Sequence, residues 1–150
     1  MSGLEIGFAL ANGLAALVWV ALIAAPGARF TRRLFSGWWV LGALSAYFVA
    51  MLAYGVAQSG FAGTFGAVVP PTLSGVLEVF RNPAMTPASW AHYLVADLFV
   101  ARWIFVREPR PSYRLSLVFL LCMVAAPLGL AAYGLLGSQT RQETREPVHA

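Results

Sequence analysis

Charge is scarce in this 150-residue chain: only 11% of its residues are Asp, Glu, Lys or Arg, against the ~25% usual in a soluble domain. That shortage speaks against a water-soluble domain and makes lipid the expected solvent for most of the chain. Lysine is absent, so all ten basic residues are arginine. Cysteine occurs once, as Cys122, which excludes an internal disulfide and leaves a small apolar packing residue. There is no Gly-rich phosphate loop, no CxxC pair, no Ser/His/Asp spacing and no internal repeat, so none of the chemistries those patterns carry is indicated. The first apolar run has no Lys or Arg before it, only Glu5, and is longer than the apolar core of a secretory signal. It is expected to be a retained span. The lack of an Arg- and Ser-rich transit segment points to a bacterial inner-membrane protein rather than a plastid import.

Hydrophobic residues make up 59% of the chain, with a mean hydropathy of +0.71. They concentrate in four runs, Leu4–Ala25, Gly37–Ala57, Ala88–Val106 and Leu115–Leu136, each near the ~20 residues a helix needs to cross the hydrocarbon layer. Backbone in lipid must satisfy its own hydrogen bonds, so helices are expected rather than strands. The fold class is therefore all-α: a polytopic membrane protein of four transmembrane helices, with a short amphipathic helix between the second and third. Residues 1–137 form one transmembrane domain, and 138–150 a polar, disordered tail in which His149 has no role.

The arginines set the orientation. Arg29, Arg32 and Arg33 lie between runs one and two, and Arg107, Arg110 and Arg114 between runs three and four; the opposite side carries Arg81, Arg141 and Arg145. Six against three places both termini outside the cytoplasm by the positive-inside rule. These arginines fit topology and lipid headgroups, not nucleic acid.

Small residues four apart, Gly7, Ala11 and Ala15 in the first run and Gly42, Ala46 and Ala50 in the second, suit close helix packing in lipid. Asn12 within the first run fits an interhelical hydrogen bond. Trp38, Trp39, Tyr54, Trp90, Trp103, Tyr113 and Tyr133 fall near run ends, as in an aromatic belt. The long connection Gln58–Met85 begins Gly- and Phe-rich and passes Pro70-Pro71. It then places Leu73, Val76, Leu77 and Phe80 on one helical face. Thr72 or Ser74 caps that helix and Asn82-Pro83 ends it; it lies at the outer interface or tucks back over the bundle. Thr86-Pro87 supplies a capping hydroxyl and a first-turn proline for the third helix. The short turn Arg107–Arg114 makes the third and fourth helices antiparallel neighbours. Pro127 is expected to kink the fourth helix and open a cavity beside it.

The third run is the unusual one, because it carries His92, Asp97 and Arg102. Neighbours in this trio are about 140° apart around a helix, so no single-helix metal site results. Arg102, near the cytoplasmic end, fits a snorkelling side chain or a headgroup pair. Asp97 sits mid-span, where a charge costs ~2.5–3.5 kcal/mol. It is therefore expected to be partnered or neutral and to face the bundle interior. Partners for His92 and Asp97 include Asn12, Ser45, Ser89 or Ser116; the alternative is proton chemistry. With one histidine in a span, two-histidine haem ligation within the chain is excluded, and no cofactor or metal is implied.

The same residues carry a resemblance. Leu73-x-Gly75-Val76, Phe80-x-Asn82-Pro83, Trp90-x-His92-Tyr93-Leu94, Asp97-Leu98-Phe99 and Arg102-Trp103-Ile104, then Pro127-x-Gly129-Leu130 and Tyr133, resemble the "abscisic acid-deficient four"-like family of small membrane proteins. The chain departs from the pattern at Ala125-Ala126, where a bulky residue and glycine are usual. Plant members are required for making neoxanthin from violaxanthin, an isomerisation that opens an epoxide and leaves an allene. The resemblance implies a membrane-dissolved isoprenoid substrate of the carotenoid class. Epoxide opening needs an acid at the departing oxygen and a base at the adjacent C–H bond. Asp97 and His92 are the candidates, with either order open, and Arg102 orients a polar end-group or holds the helix. Asn12, Asn82, Ser89, Trp90, Tyr93 and Pro127 are the expected cavity residues. Besides the bilayer and such a substrate, the expected partners are a second copy or another membrane enzyme. The competing reading is a non-catalytic bundle that binds a carotenoid, quinone or lipid, or scaffolds another enzyme; a proton or ion pathway is disfavoured.

Overall fold

The computed structural model describes residues 2–66, 69, 72–83, 85–108 and 113–143, with 137–143 described by backbone only. Among these residues the chain is all-α, without strands. Its seven helices are α1 (Gly3–Ala24), α2 (Arg29–Ser36), α3 (Trp39–Phe65), α4 (Leu73–Arg81), α5 (Met85–Arg107), α6 (Arg114–Val124) and α7 (Ala126–Glu143). Two compact units emerge, Met1–Ala16 with Trp38–Ala96 and Leu17–Gly37 with Asp97–Ala150. The chain thus divides within α1 and within α5.

Two helices, α1 and α3, are long and apolar enough to cross a membrane. The third apolar run forms α5, whose ionisable residues keep it from passing the same test. The fourth run, expected as one helix kinked at Pro127, forms two helices, α6 and α7.

In the first unit, α1 opens with a reciprocal cap that its sequence, Ser2-x-x-Glu5, encodes. The Ser2 amide donates to Glu5 Oε2 at 2.6 Å and the Glu5 amide to Ser2 Oγ at 3.3 Å. The core combines alanines, Ala11 and Ala15 from α1 and Ala88 and Ala91 from α5, with Leu41 and Leu44 from α3. The α1 stripe behaves as expected, with a Cβ on Gly7 lying 3.2 Å from the Tyr47 ring. The α3 stripe does not: Gly42, Ala46 and Ala50 are exposed, because Val40, Leu41 and Leu44 define the buried face instead. Helix α3 also runs further than the apolar pattern implied. It breaks at Gly60 (φ 70°, ψ 166°) and resumes to Phe65, a conformation essentially reserved for glycine. The break frees carbonyls, and the buried Thr64 hydroxyl answers them by donating to Gly60 O at 2.8 Å and Gly55 O at 3.4 Å.

Helix α4 matches its sequence pattern. Thr72 Oγ1 accepts from the Gly75 amide at 3.1 Å, and the helix ends at Asn82. Its apolar face, from Leu73 at 78% exposure to Val76 at 38%, is left largely exposed. Thr86 is not the cap expected for α5. Its hydroxyl donates to Phe80 O and Asn82 O at 2.9 and 3.1 Å, tying the start of α5 to the end of α4.

The second unit has the larger side chains. Phe35 of α2 meets Phe105 edge-on at 5.7 Å, and Phe105 meets Phe119 at 6.4 Å. Thr31 is buried and donates to Ala25 O at 2.7 Å and Ala21 O at 3.3 Å, tying α2 to the end of α1. Arg29, Arg32 and Arg33 lie on the opposite, exposed face of α2. Two members of the expected aromatic belt, both half-buried, pack on each other: Trp103 meets Tyr133 edge-on at 6.0 Å, under the Arg107 guanidinium, while the Tyr133 hydroxyl donates to Glu108. Helix α7 continues to Glu143, into the segment read as a tail. Pro109, Arg110 and Pro111 of the third turn, Pro70-Pro71, and Arg145, Glu146 and His149 lie outside the described residues.

Candidate functional site

The α6–α7 junction shows what Asp97 does. Ala125 is extended (φ −167°, ψ 127°), and a new helix begins at Ala126. The first turn of any helix leaves amides without partners. Here Pro127 has no amide to satisfy, and the Leu128 and Gly129 amides reach Ala125 O at 3.0 and 3.4 Å. One first-turn donor remains, Ala126 N–H, and it donates to Asp97 Oδ1 at 2.7 Å. A carboxylate from α5 thus caps α7, where the helix dipole favours negative charge. The partners expected for Asp97 were side chains; the actual partner is backbone, and Ser116 Oγ is buried without a partner.

Pro127 therefore does not kink a continuous helix. It sits in the first turn of a new one, where its missing amide costs nothing. None of the described cavities is lined by Pro127. The α6 and α7 backbones approach closely beside it: a Cβ on Gly129 would lie 2.8 Å from the Cys122 amide nitrogen and 2.9 Å from its Cα. Arg102 is also committed locally. Its guanidinium donates to Ser36 O at 2.7 Å and to Gly37 O at 3.4 Å, capping the C-terminus of α2.

His92 lies five residues before Asp97 on α5, about 140° around the helix and about 7.5 Å along it. It lines an open groove of about 240 Å³ with Phe48 and Leu52 of α3, Phe65, Phe80 of α4, and Met85, Ala88, Ser89 and Tyr93 of α5. The walls are aromatic: His92 tilts against Phe48 at 5.9 Å and meets Tyr93 edge-on at 6.1 Å. No described residue hydrogen-bonds its imidazole. Three polar groups, His92, Ser89 and Tyr93, share this otherwise apolar surface, and Asp97 and Arg102 are not part of it.

The other expected cavity residues divide. Asn12 and Trp90 bond to each other, Trp90 Nε1 donating to Asn12 Oδ1 at 2.9 Å, while Asn12 Nδ2 donates to Phe8 O at 2.8 Å. This is the interhelical link expected of Asn12, and it lies outside the groove. Asn82 borders a second cavity of about 260 Å³ with Thr64, Glu78, Arg81 and Met85, and its amide donates to Ser59 Oγ at 3.2 Å. Sequence reasoning missed Phe48, Leu52 and Phe65, whose shared face depends on where α3 ends. Among the described residues no three His, Cys, Asp or Glu side chains gather as metal ligands would.

Residues 6–133 match the sequence model of the ABA4-like family, described as ABA DEFICIENT 4-like. No curated protein and no solved structure matches the chain. With most of its length covered, the chain belongs to this family.

Proposed function

We propose that this ABA4-like protein holds one end of a carotenoid-class isoprenoid in the His92 groove and isomerises it without a redox cofactor. The observation that carries this reading is a single aromatic groove presenting an imidazole and two hydroxyls, Ser89 and Tyr93, to an apolar ligand. Its volume is below the ~300–1,000 Å³ typical of ligand pockets, so it suits an end ring and leaves the polyene in lipid. In an epoxide opening, His92 takes the proton from the carbon beside the epoxide while a groove hydroxyl, Tyr93 or Ser89, protonates the departing oxygen. The hydroxyl is then reprotonated from His92, which leaves an isomer of unchanged mass. Asp97, engaged at Ala126, positions α5 rather than meeting the ligand.

Membership in the family and the two long apolar helices support a membrane protein, which we read as a multi-pass protein of the bacterial inner membrane. In this reading α5 and the broken pair α6–α7 supply the third and fourth spans, and both termini are non-cytoplasmic. The bond that occupies Asp97 favours one second reading, in which the groove binds its ligand without changing it.

Pigment analysis separates the two. The protein is expressed in cells making β-carotene, zeaxanthin or violaxanthin, and extracts are resolved by chromatography with absorption spectra. A new isomer of unchanged mass, absent with His92→Phe, is the expected result. Unchanged pigments in every background, with pigment co-purifying, establish the binding reading. Neither a product nor bound pigment removes both.

A further inference from the structure

The course of α7 can be followed from its contacts, all within the second unit. Its first residue, Ala126, is bonded to Asp97 at 2.7 Å. Seven residues on, the Tyr133 hydroxyl donates to Glu108 Oε1 at 2.9 Å, and its ring meets Trp103 at 6.0 Å. Both partners lie beyond Asp97 in the direction of α5, Trp103 by about 9 Å and Glu108 by about 16 Å. From Ala126 to Tyr133 is about 10 Å of helix. Had α7 continued in the direction of α6, Tyr133 would stand about 26 Å from Glu108 along α5, beyond the reach of the two side chains. Helix α7 therefore runs beside α5 in the same direction, back toward the turn from which α6 starts. The contact between α6 and α7 agrees. Cys122 and Gly129 would be about 10 Å apart in a continuous helix, yet a Cβ on Gly129 would lie 2.9 Å from Cys122 Cα.

The two arms have equal lengths. Helix α6, Arg114–Val124, and the apolar part of α7, Ala126–Leu136, each extend about 16 Å, half of a ~30 Å hydrocarbon layer. Asp97 lies midway along α5, Met85–Arg107, so the bend at Ala125 falls near the middle of that layer. Backbone that leaves helical geometry at such depth meets no water and must find its partners in the protein. The Asp97 carboxylate is that partner for the Ala126 amide.

We propose that α6 and α7 form a re-entrant hairpin, which enters from the side of the Arg107–Arg114 turn, bends at mid-depth against Asp97 and leaves by the same side. The chain then crosses the layer three times, by α1, α3 and α5. This course replaces the fourth span of the reading above; it rests on that reading's membrane-embedded α1, α3 and α5 and not on its ligand. Arg102, near the same end of α5, bonds to Ser36 O and Gly37 O, so α2 lies on the side where α7 emerges. The arginines support the hairpin. Arg141 and Arg145 join Arg29, Arg32, Arg33, Arg107, Arg110 and Arg114 on one side, which leaves Arg81 alone on the other. Eight against one is a stronger cytoplasmic bias than the six against three of a four-span path.

Labelling from each side of the membrane tests this. In the full chain, Cys122→Ala removes the one cysteine, and Gly3→Cys, Arg33→Cys or Ser138→Cys is then introduced singly. Open space surrounds a Cβ on Gly3 and Arg33 is exposed, so both positions accept the change. A membrane-impermeant maleimide is applied to intact spheroplasts and to inverted vesicles. Ser138→Cys and Arg33→Cys are expected to label only in inverted vesicles, and Gly3→Cys only in spheroplasts. Labelling of Ser138→Cys in spheroplasts, or from neither side before detergent is added, overturns the hairpin and leaves the three other helices standing. Labelling of Gly3→Cys and Arg33→Cys from the same side overturns the membrane reading of α1, and the hairpin with it. A green fluorescent protein fused after Ala150 gives a readout without substitutions, because it fluoresces only on the cytoplasmic side. Fluorescent cells are expected, and a full-length but dark fusion overturns the proposal.

Discussion

Replacing Asp97 by asparagine and by alanine separates its role as a cap from any role in chemistry. Asparagine keeps an acceptor oxygen for Ala126 N–H and loses only the charge facing the helix N-terminus, worth ~0.3–1 kcal/mol. Alanine removes the acceptor and leaves a part-buried amide stranded. The lost cap costs ~0.5–2 kcal/mol and a stranded donor ~1–3 kcal/mol. These describe one event, so about 2–3 kcal/mol is expected in total. For a chain of this size 1 kcal/mol moves Tm by ~2–4 °C. Thermal unfolding followed by circular dichroism should then show Asp97→Asn melting about 1–4 °C low and Asp97→Ala about 4–12 °C low. Pigment conversion or retention by Asp97→Asn should match the wild type. If asparagine destabilises as much as alanine, the cap is not what holds α7. If Asp97→Asn melts normally but forms no product, the carboxylate takes part in the reaction and the positioning role is wrong.

Gly129→Ala places a methyl against the Cys122 backbone; overpacking of this kind costs ~1–3 kcal/mol. Cys122→Ala should not rescue the melting temperature, because the blocking atoms include main chain. Gly60→Ala has open space around its Cβ, so only the positive φ opposes it; a loss of ~1–3 kcal/mol is expected by the same melting assay. In a double-mutant cycle of Asn12→Leu with Trp90→Phe, the coupling should be ~0.5–1.5 kcal/mol, and a value near zero would deny the bond that joins α1 to α5.

Periodicity made α4 legible to the residue, because Thr72 and Asn82 punctuate a short amphipathic pattern. The small-residue stripe of α1 was legible for the same reason. Its counterpart in α3 was not: every face of α3 is apolar, and only tertiary packing chooses Leu41 and Leu44 over Gly42 and Ala46. The break at Ala125 was invisible because alanine is a strong helix former. What starts a new helix there is a bond from Ala126 to a partner twenty-nine residues earlier, Asp97, together with the backbone contact at Gly129. The candidate site divides along the same line. His92, Ser89 and Tyr93 announce themselves as polar residues on an apolar helix, whereas Phe48 and Phe65 join them only through the fold. Arg102 and Asp97 drew attention as costly charges, and their cost is offset by carbonyls and an amide left open at helix ends.

The division of the fourth apolar run also bears on how the chain is assembled. Helix α6 has 11 residues, about 16 Å of length, roughly half of a ~30 Å hydrocarbon layer. The apolar part of α7, Ala126–Leu136, is as short, so in a four-span topology α6 and α7 enter the bilayer as one bent unit. The open amide at the bend is met by a side chain synthesised earlier. Helix α5 therefore supplies, from a point earlier in the chain, the one contact that the bend in the later segment needs.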